Sequence, residues 1–200
     1  MNFQVEKYIP EFMDCMYSEK INDVVRRDEL IDMFHTNQII SKHEVIKACH
    51  KLKLENPSVL YVGSWMGYLT HILCNDFNYN VYELELDKRC KDVSYRFNSK
   101  FDNYKEHYYG DVNTLISDFF NDFSLIINLS TEHMHDHWFR KIKKGTKVII
   151  QSNNFDTLQD HINCVYSLDE LKNKFPLSKI CYESTIKCTI YERYTLVGVI

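Results

Sequence analysis

The sequence predicts an α/β protein built on a doubly wound, mostly parallel sheet of seven strands. Short apolar runs alternate with stretches of helical periodicity along most of the chain, a pattern typical of parallel strands joined by covering helices. The last two runs follow each other without a helix and predict an antiparallel C-terminal strand pair. With 200 residues and 44% hydrophobic content, the chain is expected to form a single domain. We expect residues 1–40 to be a helical cap or extension of a core of residues 41–200.

The N-terminal segment carries apolar residues at helical spacing, among them Phe12, Ile21 and Val24, which predicts one or two helices ahead of the sheet. Ser41 and Glu44 then form a capping-box pattern. This pattern predicts a helix that begins at residue 41 and continues to about residue 53. Lys42 is expected either at the surface or as a partner for a cofactor carboxylate.

The first predicted strand, residues 58–62, leads into a glycine turn and a helix. Gly63 and Gly67 bracket the turn, and apolar residues take helical spacing from Tyr68 onward. Such a turn places backbone N–H groups beside a crevice that suits the polar part of a nucleotide-like ligand. A second strand over residues 81–87 carries Glu85, about 20 residues after the turn, the spacing of an acid that binds ribose hydroxyls. Together the two features predict an adenosine-containing cofactor.

The remaining elements follow in order. Helices are predicted over residues 87–98, 112–120, 139–144 and 167–175, the last with a capping box of Ser167 and Glu170. Strands are predicted over residues 107–111, 122–128, 147–151, 179–185 and 191–199. Asp111 and Asn128 therefore end two strands of the sheet, at the edge where the glycine turn lies.

Charge and cysteine usage narrow the classes of partner. The net charge is −4, and no basic stripe accompanies the aromatic residues, so a nucleic-acid partner is not expected. Seven scattered cysteines without a C-x-x-C pair predict reduced thiols and a cytoplasmic protein. No apolar run approaches about 18 residues, so no membrane partner is expected. The sequence leaves open whether the chain forms a homo-oligomer.

From about residue 42 to residue 200 the chain resembles class I S-adenosylmethionine-dependent methyltransferases, whose fold is Rossmann-like. Where that family has an acid and three alternating glycines, this sequence has Tyr61, Gly63, Trp65 and Gly67, so the acid and the middle glycine are replaced. Glu85 matches the ribose-binding acid, and Gly110-Asp111 resembles the pair whose acid meets the adenine amino group. Later segments, including residues 128–134, 151–153 and 194–198, resemble small stand-alone methyltransferase-like proteins of bacteria and their viruses.

The resemblance implies S-adenosylmethionine as the cofactor. The residues that it places around this cofactor are Gly63, Ser64, Trp65, Gly67, Glu85, Leu86, Asp111, Val112 and Asn128.

Polar residues after the fourth strand are candidates for chemistry at the acceptor. Glu132 and His133 are predicted to accept a proton, because the unperturbed histidine pKa suits transfer near neutral pH. Ser130, Asn153 and His161 are predicted to contact the acceptor. The alternative is that these side chains only hold their loops through hydrogen bonds.

His133, His135 and His137 alternate along the same segment. Metal sites generally need a further carboxylate and a fixed second shell of hydrogen bonds, so no metal ligand is assigned from this triplet.

The predicted function is methyl transfer from S-adenosylmethionine to a small-molecule or other non-nucleic-acid acceptor. One alternative is a catalytically inactive binding or structural protein with this fold, which the replacements at Tyr61 and Trp65 favour. The other is an S-adenosylmethionine-using enzyme of a different reaction type, a lyase or an aminocarboxypropyl transferase.

Overall fold

A computed structural model describes residues 5–17 and 25–200 of the chain, and Ile21 and Val24 of the predicted N-terminal helices lie outside these ranges. The described residues form one seven-stranded sheet with the order β3-β2-β1-β4-β5-β7-β6. Its strands are β1 Ser58–Val62, β2 Asn80–Glu85, β3 Tyr104–Tyr109, β4 Leu125–Asn128, β5 Lys147–Asn153, β6 Lys179–Lys187 and β7 Glu192–Val199. β7 runs antiparallel to β5 and β6, and the other pairs are parallel. The predicted Rossmann-like fold class is confirmed.

The α-helices of the described ranges are α1 Ile9–Met16, α2 Arg27–Asp32, α3 Thr36–Leu52, α4 Tyr68–Phe77, α5 Arg89–Asn98 and α6 Leu168–Lys174. No helix among the described residues combines the length and the apolar character that crossing a membrane requires.

Two predicted helices are wrong. Residues 112–120 and 139–144 form short 3-10 turns instead, at Val112–Thr114, Ser117–Asp122 and His137–Lys141. Lys141 donates hydrogen bonds to the carbonyls of Asn113 and Leu115 at 2.6 and 2.8 Å. Leu115 and Ile116 are extended. Between the turns the backbone is therefore held by the Lys141 side chain and has no helical hydrogen-bond ladder.

The start of α3 also differs from the prediction. The helix begins at Thr36 and not at residue 41, and the His35 ring accepts a hydrogen bond from the Asn37 N–H at 3.4 Å. Ser41 lies inside the helix and donates to the side-chain oxygen of Gln151 on β5. Glu44 accepts hydrogen bonds from two side chains of β6. The residues of the apparent capping box thus serve contacts between α3 and the sheet.

The predicted capping box of Ser167 and Glu170 is confirmed for Ser167. Ser167 precedes α6, and its Oγ accepts a hydrogen bond from the Glu170 N–H at 3.0 Å. The Glu170 carboxylate accepts from the Tyr166 N–H at 2.7 Å, one residue before the position that a full capping box would use.

The sheet separates two hydrophobic cores, because successive strand residues face opposite sides. Val59 and Tyr61 of β1 belong to the core beneath the N-terminal helices, whereas Leu60 and Val62 belong to the opposite core. Phe12 of α1 extends the first core, with edge-on ring contacts to neighbouring aromatic side chains at centroid distances of 4.4–5.6 Å. The described N-terminal helices are therefore packed on the domain as part of its core.

Candidate functional site

A cavity of about 1190 Å³ lies along the carboxyl ends of β1, β2, β3 and β4. Single small-molecule pockets span about 300–1,000 Å³, so this cavity has room for a nucleoside-sized ligand together with a second molecule. Its walls come from the loops after these strands, from the loop after β5, and from the end of α2 and the start of α3. It is the position expected for ligands of open α/β sheets.

The loop after β1 is shaped by three left-handed residues. Gly63, Trp65 and Gly67 have φ values of 65°, 51° and 77°. A Cβ atom on Gly67 would lie 2.0 Å from the Ser94 Oγ and 2.6 Å from the Asn98 Nδ2, so glycine permits the close packing of the loop on α5. Gly63 and Trp65 line the cavity, and Trp65 holds a backbone conformation that costs a non-glycine residue about 1–2 kcal/mol.

Glu85 fastens this loop to the end of β2. One carboxylate oxygen accepts a hydrogen bond from the Trp65 N–H at 2.8 Å, and the other accepts from the Leu86 and Asp87 N–H groups at 2.7 and 3.0 Å. A carboxylate has about four acceptor positions, so the three backbone donors leave capacity for a ligand hydroxyl. The backbone contacts also fix the carboxylate in place at the cavity wall.

The third strand end supplies the next part of the same wall. Asp111 is exposed, and its Oδ1 accepts from the Asn113 N–H at 2.8 Å and from the Asn113 side-chain amide at 3.2 Å. Leu86 and Val112 line the cavity between Asp111 and the glycine loop. Apolar side chains beside two fixed carboxylates suit a purine and its ribose.

The opposite wall is centred on a buried ion pair. Glu132 is 1% exposed and Arg193 is 5% exposed. Oε1 of Glu132 accepts from the Asn153 side-chain amide and from the Arg193 Nη2 at 3.4 Å, and Arg193 Nη1 donates to the Leu129 carbonyl at 2.9 Å. Burial opposes the charge of Arg193, yet Glu132 and Tyr191 hold its pKa above the usual value. Oε2 of Glu132 is buried without a hydrogen-bond partner in the described part of the chain.

Two histidines lie next to this pair. The rings of His133 and His161 are perpendicular, with centroids 4.5 Å apart. His133 Nδ1 lies 3.1 Å from a carboxylate oxygen of Asp160, and His161 Nδ1 contacts the Phe155 carbonyl oxygen. The loop that carries His161 is fastened by Asn163, whose N–H donates to the Glu132 carbonyl at 2.9 Å.

The predicted site residues divide into two groups. The cavity is lined by Gly63, Trp65, Glu85, Leu86, Asp111, Val112, Ser130, Glu132, His133, Asn153 and His161. Ser64, Gly67 and Asn128 are absent from its walls. Ser64 is buried, and Asn128 accepts a hydrogen bond from the Ser130 N–H at 3.0 Å, so the positions of these three residues fit a supporting role in the loops.

Several wall residues carried no usable sequence signal. Arg193 lies within a predicted strand, and Asp32, His35 and Gln38 lie at helix ends outside the glycine turn and the strand-end motifs. The expectation that Lys42 is a surface residue is wrong, because it is 5% exposed. Burial and the nearby Arg193 lower the pKa of Lys42 to about 7, against an opposing effect of Asp32.

Tyr61 replaces an acid in the resemblance described above, and it lies in the core beneath the N-terminal helices at 5% exposure. Burial raises the pKa of its hydroxyl. The position is thus part of the packing in this chain.

No protein-family model matches the chain, and no curated protein matches it. Solved structures do match. An S-adenosylmethionine-dependent methyltransferase from Clostridium acetobutylicum ATCC 824 is 14% identical, with a TM-score of 0.62, over 85% of this chain and 96% of that one. The chain has the class I methyltransferase fold. The small stand-alone subgroup of the resemblance stays a prediction.

Two other solved structures have the same fold and contain different bound molecules. MtNAS, in complex with MTA and tNA, is 13% identical with a TM-score of 0.58, over 98% of this chain and 74% of that one. Haemonchus contortus Phospholethanolamine N-methyltransferase 2, with phosphomonomethylethanolamine and S-adenosylhomocysteine, is 12% identical with a TM-score of 0.60, over 90% of this chain and 60% of that one.

Proposed function

We propose that this protein binds S-adenosylmethionine in the cavity and transfers its methyl group to a small-molecule or other non-nucleic-acid acceptor. The observation that carries the proposal is the order of groups along one wall. The glycine loop, the backbone-fixed Glu85 and the exposed Asp111 end three adjacent strands, β1, β2 and β3, and Glu132 and His133 face the same cavity. The net charge of −4 supports an acceptor other than a nucleic acid.

The residues fit the cofactor part by part. Glu85 retains acceptor capacity for the ribose hydroxyls, and Asp111 has a second carboxylate oxygen for the adenine amino group. Leu86 and Val112 would contact the faces of the purine. The loop at Gly63 would contact the methionine end, where the cavity meets the acceptor wall.

The cofactor, when bound, supplies an electrophilic methyl group. The chain's main contribution is then to align the acceptor, which is a proximity effect. His133 would accept the acceptor's proton at Nε2, because its Nδ1 contacts Asp160, and Glu132 would be the alternative through its unpartnered oxygen. Ser130, Asn153 and His161 would contact the acceptor.

Calorimetric titration with S-adenosylmethionine and with S-adenosylhomocysteine tests the cofactor site. We expect binding by the wild type and a loss of at least about 100-fold in Glu85→Ala, because two hydrogen bonds to a charged acceptor contribute about 1.5–3 kcal/mol each. Glu106→Ala is the matched control, since Glu106 is an exposed acid on the neighbouring strand β3. Equal affinity in Glu85→Ala would remove the site assignment. A folded wild type that binds neither ligand would favour the non-catalytic alternative.

A second candidate is transfer of the aminocarboxypropyl group, which leaves methylthioadenosine. Its support is MtNAS, whose structure contains MTA and matches 98% of this chain. Chromatography of the products separates the two candidates, because methyl transfer leaves S-adenosylhomocysteine. Accumulation of methylthioadenosine in the wild type but not in Glu132→Gln would favour the second candidate.

A further inference from the structure

Glu132, His133 and His161 form a cluster whose composition differs from the histidine triplet visible in the sequence. Each offers one ligand atom, and these three atoms all lie within 4.8 Å of one another. Two of the residues come from the 3-10 turn after β4, and the third comes from the loop after β5. Two imidazoles and one carboxylate are a common protein ligand set for zinc and for non-haem iron.

The contacts around the cluster indicate which ring nitrogen of each histidine keeps a lone pair for a metal ion. The Phe155 carbonyl oxygen can only accept, so His161 Nδ1 carries the proton in that contact, and the lone pair of the neutral ring is at Nε2. The Asp160 carboxylate oxygen lies 3.1 Å from His133 Nδ1, and its negative charge favours a proton on Nδ1 and a lone pair at Nε2. Metal-binding histidines usually have such oxygen partners on the second ring nitrogen.

The carboxylate completes the set. Oε1 of Glu132 is occupied by Asn153 and Arg193, whereas Oε2 is buried and has no partner within the described residues. A buried carboxylate oxygen without a hydrogen-bond partner keeps acceptor capacity that an ion can use. The positive charge of Arg193 near Oε1 weakens cation binding, and the carboxylate of Asp160 on the far side of His133 counteracts it.

We propose that Glu132, His133 and His161 bind one divalent transition-metal ion, such as Zn²⁺, at the acceptor wall of the cavity. Three protein ligands leave at least one coordination position open, as in catalytic metal sites. The inference goes beyond the proposed function, since the ion binds without the cofactor. It also changes the role of Glu132 and His133, because the lone pairs that bind an ion no longer accept a proton.

His135 and His137 provide the matched control. Their exposed side chains stack on each other at a centroid distance of 5.9 Å. Neither joins the cluster. The sequence triplet and the structural cluster share only His133, so variants of the other members distinguish them.

The test is calorimetric titration of chelator-treated protein with Zn²⁺ alone, followed by Co²⁺ and visible absorption of the bound ion. We expect one equivalent of metal, with affinity reduced by more than about 10-fold in His161→Ala and in Glu132→Gln, since even loss of a supporting contact costs 10–100-fold. Affinity should be unchanged in the His135→Ala/His137→Ala double variant. If Glu132→Gln fails to fold, the half-buried His161 carries the test.

Three outcomes would overturn the site: no stoichiometric binding by the wild type, unchanged affinity in His161→Ala, or loss of binding in the double variant. Binding of S-adenosylmethionine is measured in a separate titration. Metal binding without cofactor binding would reject the proposed function and keep the metal site, and the reverse result would do the opposite.

Discussion

Two carboxylates in different elements, Glu83 on β2 and Glu132 in the turn after β4, are both buried but have contrasting surroundings. Glu83 lies on β2 and accepts hydrogen bonds from the hydroxyls of Thr70, Ser94 and Tyr104, the last two at 2.6 and 3.1 Å. Burial raises the pKa of Glu83 to about 7, although the three hydroxyls lower it in part. This carboxylate is fully partnered and lies outside the cavity.

Glu132 instead has a cationic partner and an unused oxygen. Arg193 and Asn153 occupy one of its oxygens, and the other has no partner in the described ranges. Neutral hydroxyls therefore occupy both oxygens of Glu83, whereas Glu132 keeps a free acceptor oxygen and lines the cavity. The difference between the two carboxylates is that the unused acceptor of Glu132 belongs to a residue that lines the cavity, whereas both oxygens of Glu83 are occupied away from it.

The largest expected effect comes from breaking the ion pair. Arg193→Met should lower the free energy of unfolding by about 3–5 kcal/mol, because it leaves the Glu132 carboxylate buried without its cation. Urea unfolding near pH 7 measures this, with the exposed Arg140→Met as a control that should change stability by about 0.5 kcal/mol or less. Equal losses in the two variants would show that the ion pair contributes nothing particular.

The Glu83 region should respond to pH. Its folded-state pKa of about 7 exceeds the ordinary value of 4.5, so proton binding stabilises the fold. This contribution to the free energy of unfolding is complete below about pH 4.5 and is lost as the pH rises through 7. The loss amounts to about 3 kcal/mol. Glu83→Gln should therefore gain about 3 kcal/mol relative to the wild type between pH 4.5 and pH 7.5.

Urea unfolding of the wild type and of Glu83→Gln across this pH range measures the difference in their free energies of unfolding. The contributions of groups that titrate in both proteins cancel in this difference. His107, whose Nε2 lies 3.7 Å from the Glu83 carboxylate and whose pKa is lowered by burial, is the group most able to respond to the substitution. A stability difference that is independent of pH would contradict the assignment.

An effect of similar size to that of Glu83→Gln tests the packing beside Glu83. In Gly67→Ala the new methyl group meets the Ser94 hydroxyl, a partner of Glu83, at a φ of 77°. We expect a loss of about 3 kcal/mol, from about 1 for the left-handed backbone and about 2 for overpacking. Gly145→Ala is the control, since it has a φ of 89° and open space, and it should cost only about 1 kcal/mol. Equal unfolding midpoints for the two variants would exclude the clash.

The strands and the residues at their carboxyl ends could be predicted because each depends on a short segment. The apolar run of β1 was placed at residues 58–62, where the structure has it. The glycine turn, Glu85 and Asp111 each stand at a strand end, and parallel strands bring such ends to one edge of the sheet. Elements without this local signature were less predictable, such as the region around Leu115, where a distant lysine holds the backbone.

The sequence by itself therefore determined the α/β fold class, the position of β1 and the placement of Gly63, Glu85 and Asp111 near strand ends, because apolar period and turn chemistry are local properties. Only the tertiary structure decided which side chains from distant segments meet around Glu132. It buried Ser41 and Lys42 within contacts of α3, and it brought Arg193 and His161 to Glu132 from distant segments. The pairing of side chains across long separations depends on sheet order and loop closure, which no local pattern encodes.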